Sequence, residues 1–425
     1  MVGQPTQVGM FTLLARAETQ GKRLPLVAAT LGGTTAGNVV YANTAAEAEK
    51  FGEVIFDALG EAADMSDDPA IADLIELVEN TIHRSYRLRK QLQRGVAFHY
   101  GNMPLLVRQA IETLFREEKL RYLVCTSTLL EGVNLPCKNL YVRAPRRGTG
   151  NPMTAGDFWN LAGRAGQWGI EFQGNIVCVD TTKANTWVNV PTRRERQPIT
   201  RATDKALASM GEFLNYIAAG TPLSIARENR SFEPTYSYIA SWIARGRPLS
   251  ELSWLGEVDD LPSLTVAVER SLESVTVSAD SRTKHAGISP LSMQRLADHL
   301  RADPDLAQYV IPLPESDQFV PTIRRILPKI DTFLGGKFGA HEGRHFQLAI
   351  LISRWVQGQP LSYLISDRVN YFRSSGRDDS TPNVIRSVMA DIEEMVRFQA
   401  PLYLTCFRDV LQEALRAPFA AVTSA

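Results

Sequence analysis

LVCTSTLLEGVNLP, from Leu123 to Pro136, decides how the rest of the chain is read. An apolar run ends in Thr126-Ser127-Thr128, and a polar turn with Gly132 and Asn134 follows. NLYVRA (Asn139 to Ala144) is strand-like, and DFWNLAGRAGQWG (Asp157 to Gly169) presents Gly163-Arg164 and Gly166-Gln167 at the end of a helix. Hydroxyls, glycines and an arginine are thus expected where strands end, the place where open α/β sheets bind ligands.

Working outward, strand and helix patterns alternate. NVVY (Asn38 to Tyr41) reads as a buried strand. In the helix after it, Thr44 and Glu47 have the spacing of a capping box. Phe51, Val54, Ile55, Ala58 and Leu59 are expected to form that helix's apolar stripe. A long helix is predicted from Ile71 to Gln93, and its basic end, HRSYRLRKQLQR, reads as a solvated face. Val96 to Phe98 is a short strand leading into HYGNMP (His99 to Pro104), where the proline suits a helix start. The next helix spaces Val107, Ala110, Ile111 and Leu114 along one side. RYLVCT (Arg121 to Thr126), NLYVRA and GNIVCV (Gly174 to Val179) are further strands, and Thr154 to Ala165 is helical. Such alternation over residues 38 to 180 predicts an α/β fold with a parallel sheet covered on both faces.

The expected organisation is an N-terminal segment (1–37), the α/β lobe (38–188), a linker (189–205) and a mainly α-helical region (206–425). The linker is marked by NVPTRRERQPITRATDK, with its prolines and arginines. The helical candidates beyond it include Glu233 to Arg245, Ser289 to Arg301, Phe346 to Gln357, Leu361 to Phe372 and Asn383 to Leu415.

With 425 residues, the chain has room for two or three domains. The formal net charge is zero, so any basic surface is local. Four cysteines without C-x-x-C pairs fit a reducing compartment rather than a disulfide framework or zinc knuckle. No apolar run reaches the roughly 18 residues of a membrane span, and the N-terminus lacks a signal-peptide pattern. The default location is the cytoplasm, with no membrane partner.

The segment VAFHYGNMPLLVRQAIETLFREEKLRYLVCTSTLLEGVNLP, followed by DFWNLAGRAGQWG, resembles the second, C-terminal RecA-like lobe of a superfamily 2 helicase (DEAD/DEAH-type), nearest the Ski-like branch. The resemblance covers roughly residues 38 to 180, with three motifs in order. It implies that Thr126, Ser127 and Thr128 touch a nucleic-acid strand, DNA or RNA, by donating to phosphate oxygens. The HYGNMP loop would lie near the same strand, with His99 and Tyr100 placed for stacking. Gly132, Asn134, Asn160, Gly163 and Arg164 would line an ATP site. Arg164 and the position of Gln167 would face the transferred phosphoryl group, as an arginine finger does. Two residues depart from the pattern: Asn160 stands where glutamine is usual, and Gln167 stands where a second arginine is usual. A glutamine brings no positive charge.

ATP and Mg2+ are the implied cofactors, held mainly by a first lobe. The chain contains no G-x-x-x-x-G-K-[ST] and no D-E-x-[HD] before the lobe. It is therefore expected to lack the first lobe, to borrow it from a separate subunit, and to be inactive alone. A non-catalytic nucleic-acid-binding scaffold is the alternative. A third reading comes from His341-Glu342-Gly343-Arg344-His345, which matches the H-E-x-x-H of zinc hydrolases. Gly343 within it and the lack of an evident third ligand favour a glycine-rich turn capping the next helix, with no metal.

Overall fold

The computed structural model describes residues 10–127, 135–147, 150–166, 174–183, 186–188, 201–255, 260–339, 341–376 and 379–416. The chain divides into two compact units, Met1–Gln197 with Pro360–Ala390, and Pro198–Gln359 with Asp391–Ala425. Residues 360–390 thus group with the α/β lobe, unlike the continuous helical region drawn from composition.

Among the described residues, seven strands are formed in the first unit: β1 (Asn38–Tyr41), β2 (Val96–His99), β3 (Tyr122–Cys125), β4 (Asn139–Val142), β5 (Arg146–Arg147), β6 (Asn151–Pro152) and β7 (Asn175–Cys178). Five make a sheet of order β2-β3-β1-β4-β7, parallel at every pairing, and β5 and β6 form a small antiparallel ribbon. Every residue of β1, β2 and β3 is buried. That explains their unbroken apolar runs, since helices cover both faces of a parallel sheet. Around the sheet strands the described helices include α1 (Arg23–Gly32), α2 (Ala45–Leu59), α3 (Pro69–Thr81), α4 (Arg87–Leu92), α5 (Leu105–Arg116) and α6 (Ala155–Ala162).

Local chemistry sets the helix starts. Thr44 Oγ1 accepts the Glu47 N–H at 3.1 Å, and Glu47 Oε2 accepts the Asn43 N–H at 2.8 Å. This is the expected capping box with its return bond one residue earlier. Asp68 caps α3, which has Pro69 at its first turn. The buried face of α2 is Ala48, Glu49, Gly52, Ile55 and Phe56, rotated from the apolar stripe expected from sequence. The rotation follows from Gly52, where a β-carbon would collide with the Gln91 side chain. Its absence lets α4 pack closely on α2.

The helix predicted over 71–93 is two helices. Between them the chain turns so that Tyr86 is buried, its hydroxyl 2.6 Å from that of Tyr100. The basic run is solvated in part, with Arg84, Arg89 and Lys90 exposed, and also serves as a packing surface. Arg94 and Lys90 lie over the Phe56 ring at 3.9 and 4.7 Å, Arg94 donates to the Phe56 carbonyl, and Arg89 pairs with Glu79. The second unit is helical, with a core that includes Phe213, Tyr216, Phe232, Tyr236 and Ile239. No helix among the described residues is long and apolar enough to cross a membrane.

Candidate functional site

The sheet is parallel, so the ends of all five strands lie along one edge and their starts along the other. His99 and Tyr41 both pair in register with Cys125, which brings the ends of β2, β3 and β1 level. Thr126 follows β3 directly; its N–H donates to the His99 carbonyl at 3.3 Å, and Ser127 comes next, partly exposed. Both hydroxyl residues therefore stand at the strand-end edge. Thr128, Gly132, Asn134 and Gln167 lie outside the described residues.

His99 and Tyr100 reach the same edge but point inward. Both side chains are buried. His99 Nε2 is 3.0 Å from Glu112 Oε1 on α5. The Tyr100 hydroxyl donates to Glu49 Oε1 at 3.1 Å, and its ring stacks on Phe98 at 5.8 Å. The exposed members of this corner are Gly101, Leu105 and Leu106. The β5–β6 ribbon overhangs the end of β1. Tyr41 donates its hydroxyl to the Arg146 carbonyl at 2.7 Å, and Asn43 Oδ1 accepts the Arg146 N–H at 2.6 Å. The ribbon places exposed Arg146 and Arg147 beside the strand ends. Sequence reading missed Tyr41 and Asn43, which hold these arginines there. Nothing in local pattern ties residues about a hundred positions apart.

Arg143 is engaged elsewhere. Its Nε donates to Asp180 Oδ2 at 2.8 Å, and Arg23 donates to Asp180 Oδ1 at 2.9 Å. Burial would raise the Asp180 carboxyl, but the two guanidinium groups outweigh it and hold it below the usual carboxylate range.

Arg164 lies on the opposite edge. Helix α6, capped by Thr154, ends at Ala162, and the chain then turns through Gly163, Arg164 and Ala165 to Gly166, which has φ +69°. Cys137 grips this turn twice: its N–H donates to the Arg164 carbonyl at 3.0 Å, and its carbonyl accepts the Gly166 N–H at 3.1 Å. Cys137 precedes β4, so the turn sits where strands begin. Gly174, just before β7, packs on the same turn; a β-carbon there would overlap the backbone of Ala165 and Gly166. The sequence expectation of one strand-end site is thus corrected to two edges. They are separated by a strand of four residues, about 13 Å at roughly 3.3 Å per residue. Asn160 and Gly163 are exposed at the Arg164 end, and Arg164 is half-buried.

Residues 72–169 match the family described as Helicase conserved C-terminal domain. With that match, the parallel sheet and the motif order agree. Residues 72–169, within the α/β unit, form a C-terminal lobe domain of the superfamily 2 helicase type. Among curated proteins, the chain is similar to Anti-bacteriophage protein B of Escherichia coli (strain K12), 40% identical over 91 residues. That match covers 21% of this chain and 12% of the relative. It is also similar to Antiviral helicase SKI2 of Saccharomyces cerevisiae, 31% over 121 residues, or 26% of this chain and 9% of the relative. Hachiman protein HamB of Bacillus cereus is 30% identical over 158 residues, or 37% of this chain and 13% of the relative. The chain therefore matches only a small part of each relative, and the likeness to SKI2 is consistent with the Ski-like branch.

Outside the helicase lobe, the H-E-x-x-H residues are built into a helix start. His341 is the N-cap of a helix over Glu342–Val356, and its Nδ1 accepts the Arg344 N–H at 3.1 Å. His345 Nε2 lies 2.9 Å from Asp331 Oδ2, and Arg344 donates to Asp391 Oδ2 at 2.8 Å. Asp331 also accepts the Phe338 and Gly339 N–H groups. His341 stands outside the helix, so the two histidines do not form the one-faced pair that a zinc site of this type needs. Among the described residues, no three His, Cys, Asp or Glu side chains gather as a metal site.

Proposed function

We propose that this chain acts as the C-terminal half of an ATP-dependent nucleic-acid helicase or translocase. The observation that carries the proposal is the placement of hydroxyl residues and arginines on one sheet edge and the Cys137-held Arg164 turn on the other. The strand-end edge is the nucleic-acid side. Thr126 and Ser127 donate to phosphate oxygens there, Arg146 and Arg147 add charge, and Leu105 and Leu106 offer apolar surface to bases. His99 and Tyr100, being buried, act by fixing the loop rather than by stacking on bases. The resemblance gives Thr128 the same role.

The Arg164 edge is the nucleotide side. Arg164 and the Gly163 turn, with Asn160, face ATP held with Mg2+ by a first RecA-like lobe, and the resemblance gives Gly132 and Asn134 an ATP-binding role. That lobe carries the phosphate-binding loop and the acidic magnesium motif that this sequence lacks. ATP, when bound, supplies the free energy for strand movement; the residues of this chain orient the phosphoryl group and neutralise its charge. Gln167 supports a second reading, a lobe that binds nucleic acid without hydrolysis.

One experiment separates the two. The chain is mixed with a first-lobe protein and a single-stranded oligonucleotide, and ATP turnover and binding are measured across a salt series. Oligonucleotide-stimulated turnover that disappears in Arg164→Ala supports the motor. Salt-dependent binding with no nucleotide effect and no turnover supports the scaffold. Absence of oligonucleotide binding at low salt overturns both.

A further inference from the structure

The helix pair Leu361–Ser374 and Thr381–Ala390 belongs to the same compact unit as the helicase lobe, although about 180 residues of sequence separate them. One seat for the pair is α3, against which the first helix packs. The other is a buried carboxylate. Glu49 on α2 is fully buried, and an ionised carboxylate in that position needs partners for both oxygens. Arg386 pairs with Glu49 Oε2, and the Tyr100 hydroxyl donates to Oε1 at 3.1 Å. Asn383, one turn away on the same helix, holds the Arg386 guanidinium from behind.

Proton bookkeeping fixes the direction of the chain. A phenol has one hydroxyl proton. Tyr100 gives its proton to Glu49, so the 2.6 Å contact between the two tyrosines is a donation from Tyr86 to Tyr100. Tyr86 also meets Phe98 edge-on at 5.4 Å, and Phe98 stacks on Tyr100. Tyr100 immediately precedes the exposed Gly101, and its carbonyl accepts the Met103 N–H that closes the turn. Arg386, Glu49, Tyr100 and Tyr86 thus run without a gap from the helix pair to the loop over Gly101–Pro104.

We propose that Arg386 is a positioning residue for this loop: through Glu49 and Tyr100 it couples docking of the helix pair to the conformation of the strand-end corner. Because coupling is reciprocal, a ligand on the corner tightens the helix pair, and release of the pair loosens the corner. The loop-to-helix coupling stands on the geometry alone; its effect on affinity rests on the nucleic-acid reading above.

The test is hydrogen exchange on the full chain, with Arg386→Met, Arg386→Lys, Tyr100→Phe and the Met/Phe double variant, each with and without a single-stranded 20-nucleotide probe, a length of about the usual binding-site scale. Arg386→Met should speed exchange roughly tenfold in both 381–390 and 99–104, a size typical of coupled neighbours. Tyr100→Phe should speed it in 99–104, and the double variant should be no worse there than Arg386→Met. Arg386→Lys keeps the charge and should restore part of the protection; it also serves if the methionine variant does not fold. Loosening of 381–390 with 99–104 unchanged, or loop effects that simply add in the double variant, overturns the coupling. If wild-type chain ignores the probe, the nucleic-acid reading fails while exchange without probe still decides the coupling.

Discussion

Gly174 stands before β7 with the backbone of Ala165 and Gly166 where its β-carbon would be. Gly174→Ala should therefore push the Arg164 turn off Cys137 and lower stability by about 1–3 kcal/mol, the usual cost of overpacking; equal melting temperatures for variant and wild type would show that the turn yields freely. Arg164→Ala differs in that the backbone bonds of the turn to Cys137 stay in place, so the turn itself should keep its conformation. Turnover of the reconstituted motor should fall by about 10³-fold or more if the guanidinium is the finger. Two carboxylates give opposite pH signatures. Asp180 sits below its unfolded value, so its contribution is complete above the usual aspartate range and disappears as pH falls through the folded-state value. Glu49 is held above its ordinary 4.5 by burial, only partly offset by Arg386 and Tyr100. The folded state keeps that proton longer than the unfolded chain does, so stability falls as pH rises through the raised value. Urea melts of wild type, Arg143→Ala and Glu49→Gln between pH 3 and 7, about the span over which carboxylates titrate, separate the two: Arg143→Ala should flatten the acid limb and Glu49→Gln the upper one.

At the scale of single elements, the legible parts were those with local chemistry. The Thr44–Glu47 capping box, the proline opening α5 and the all-buried strands were readable because each rests on residues a few positions apart. Thr154 caps α6 by accepting the Asp157 N–H at 3.1 Å, so Thr154→Ala should cost about 1 kcal/mol. It should also fray the helix that delivers Arg164, visible as faster exchange over 155–162. The misread elements were decided by partners distant in sequence. The face of α2 is set by Gly52 and Glu49, not by its largest apolar residues, because Gln91 and Arg386 approach there. The predicted 71–93 helix breaks because a buried Tyr86 meets Tyr100.

For the molecule as a whole, the expectation concerns which segments unfold together. Residues 360–390 share a compact unit with the lobe, while 198–359 and 391–425 form another. Hydrogen exchange in rising urea should place the 361–390 peptides in the same cooperative step as 38–180. Their loss together with 206–356 would count against the division. Net charge belongs to this scale too. At zero formal charge, any nucleic-acid binding depends on the local Arg146–Arg147 edge, so affinity should fall with salt with a shallow slope, reflecting few phosphate contacts.

The sequence by itself determined the class of the lobe and the positions of the five strands of its sheet. Those follow from hydrophobic period, capping and motif spacing, all local properties. The tertiary structure decided which residues share an edge. It placed Thr126 and Ser127 with Arg146 at the strand ends and carried Arg164 to the strand starts. It turned His99 and Tyr100 inward, and joined a helix pair near residue 386 to a glutamate at 49. The physical reason is the same in each case: hydrogen bonds and buried charges choose partners by proximity in space, and one residue's spacing along the chain says nothing of a partner about a hundred or more positions away.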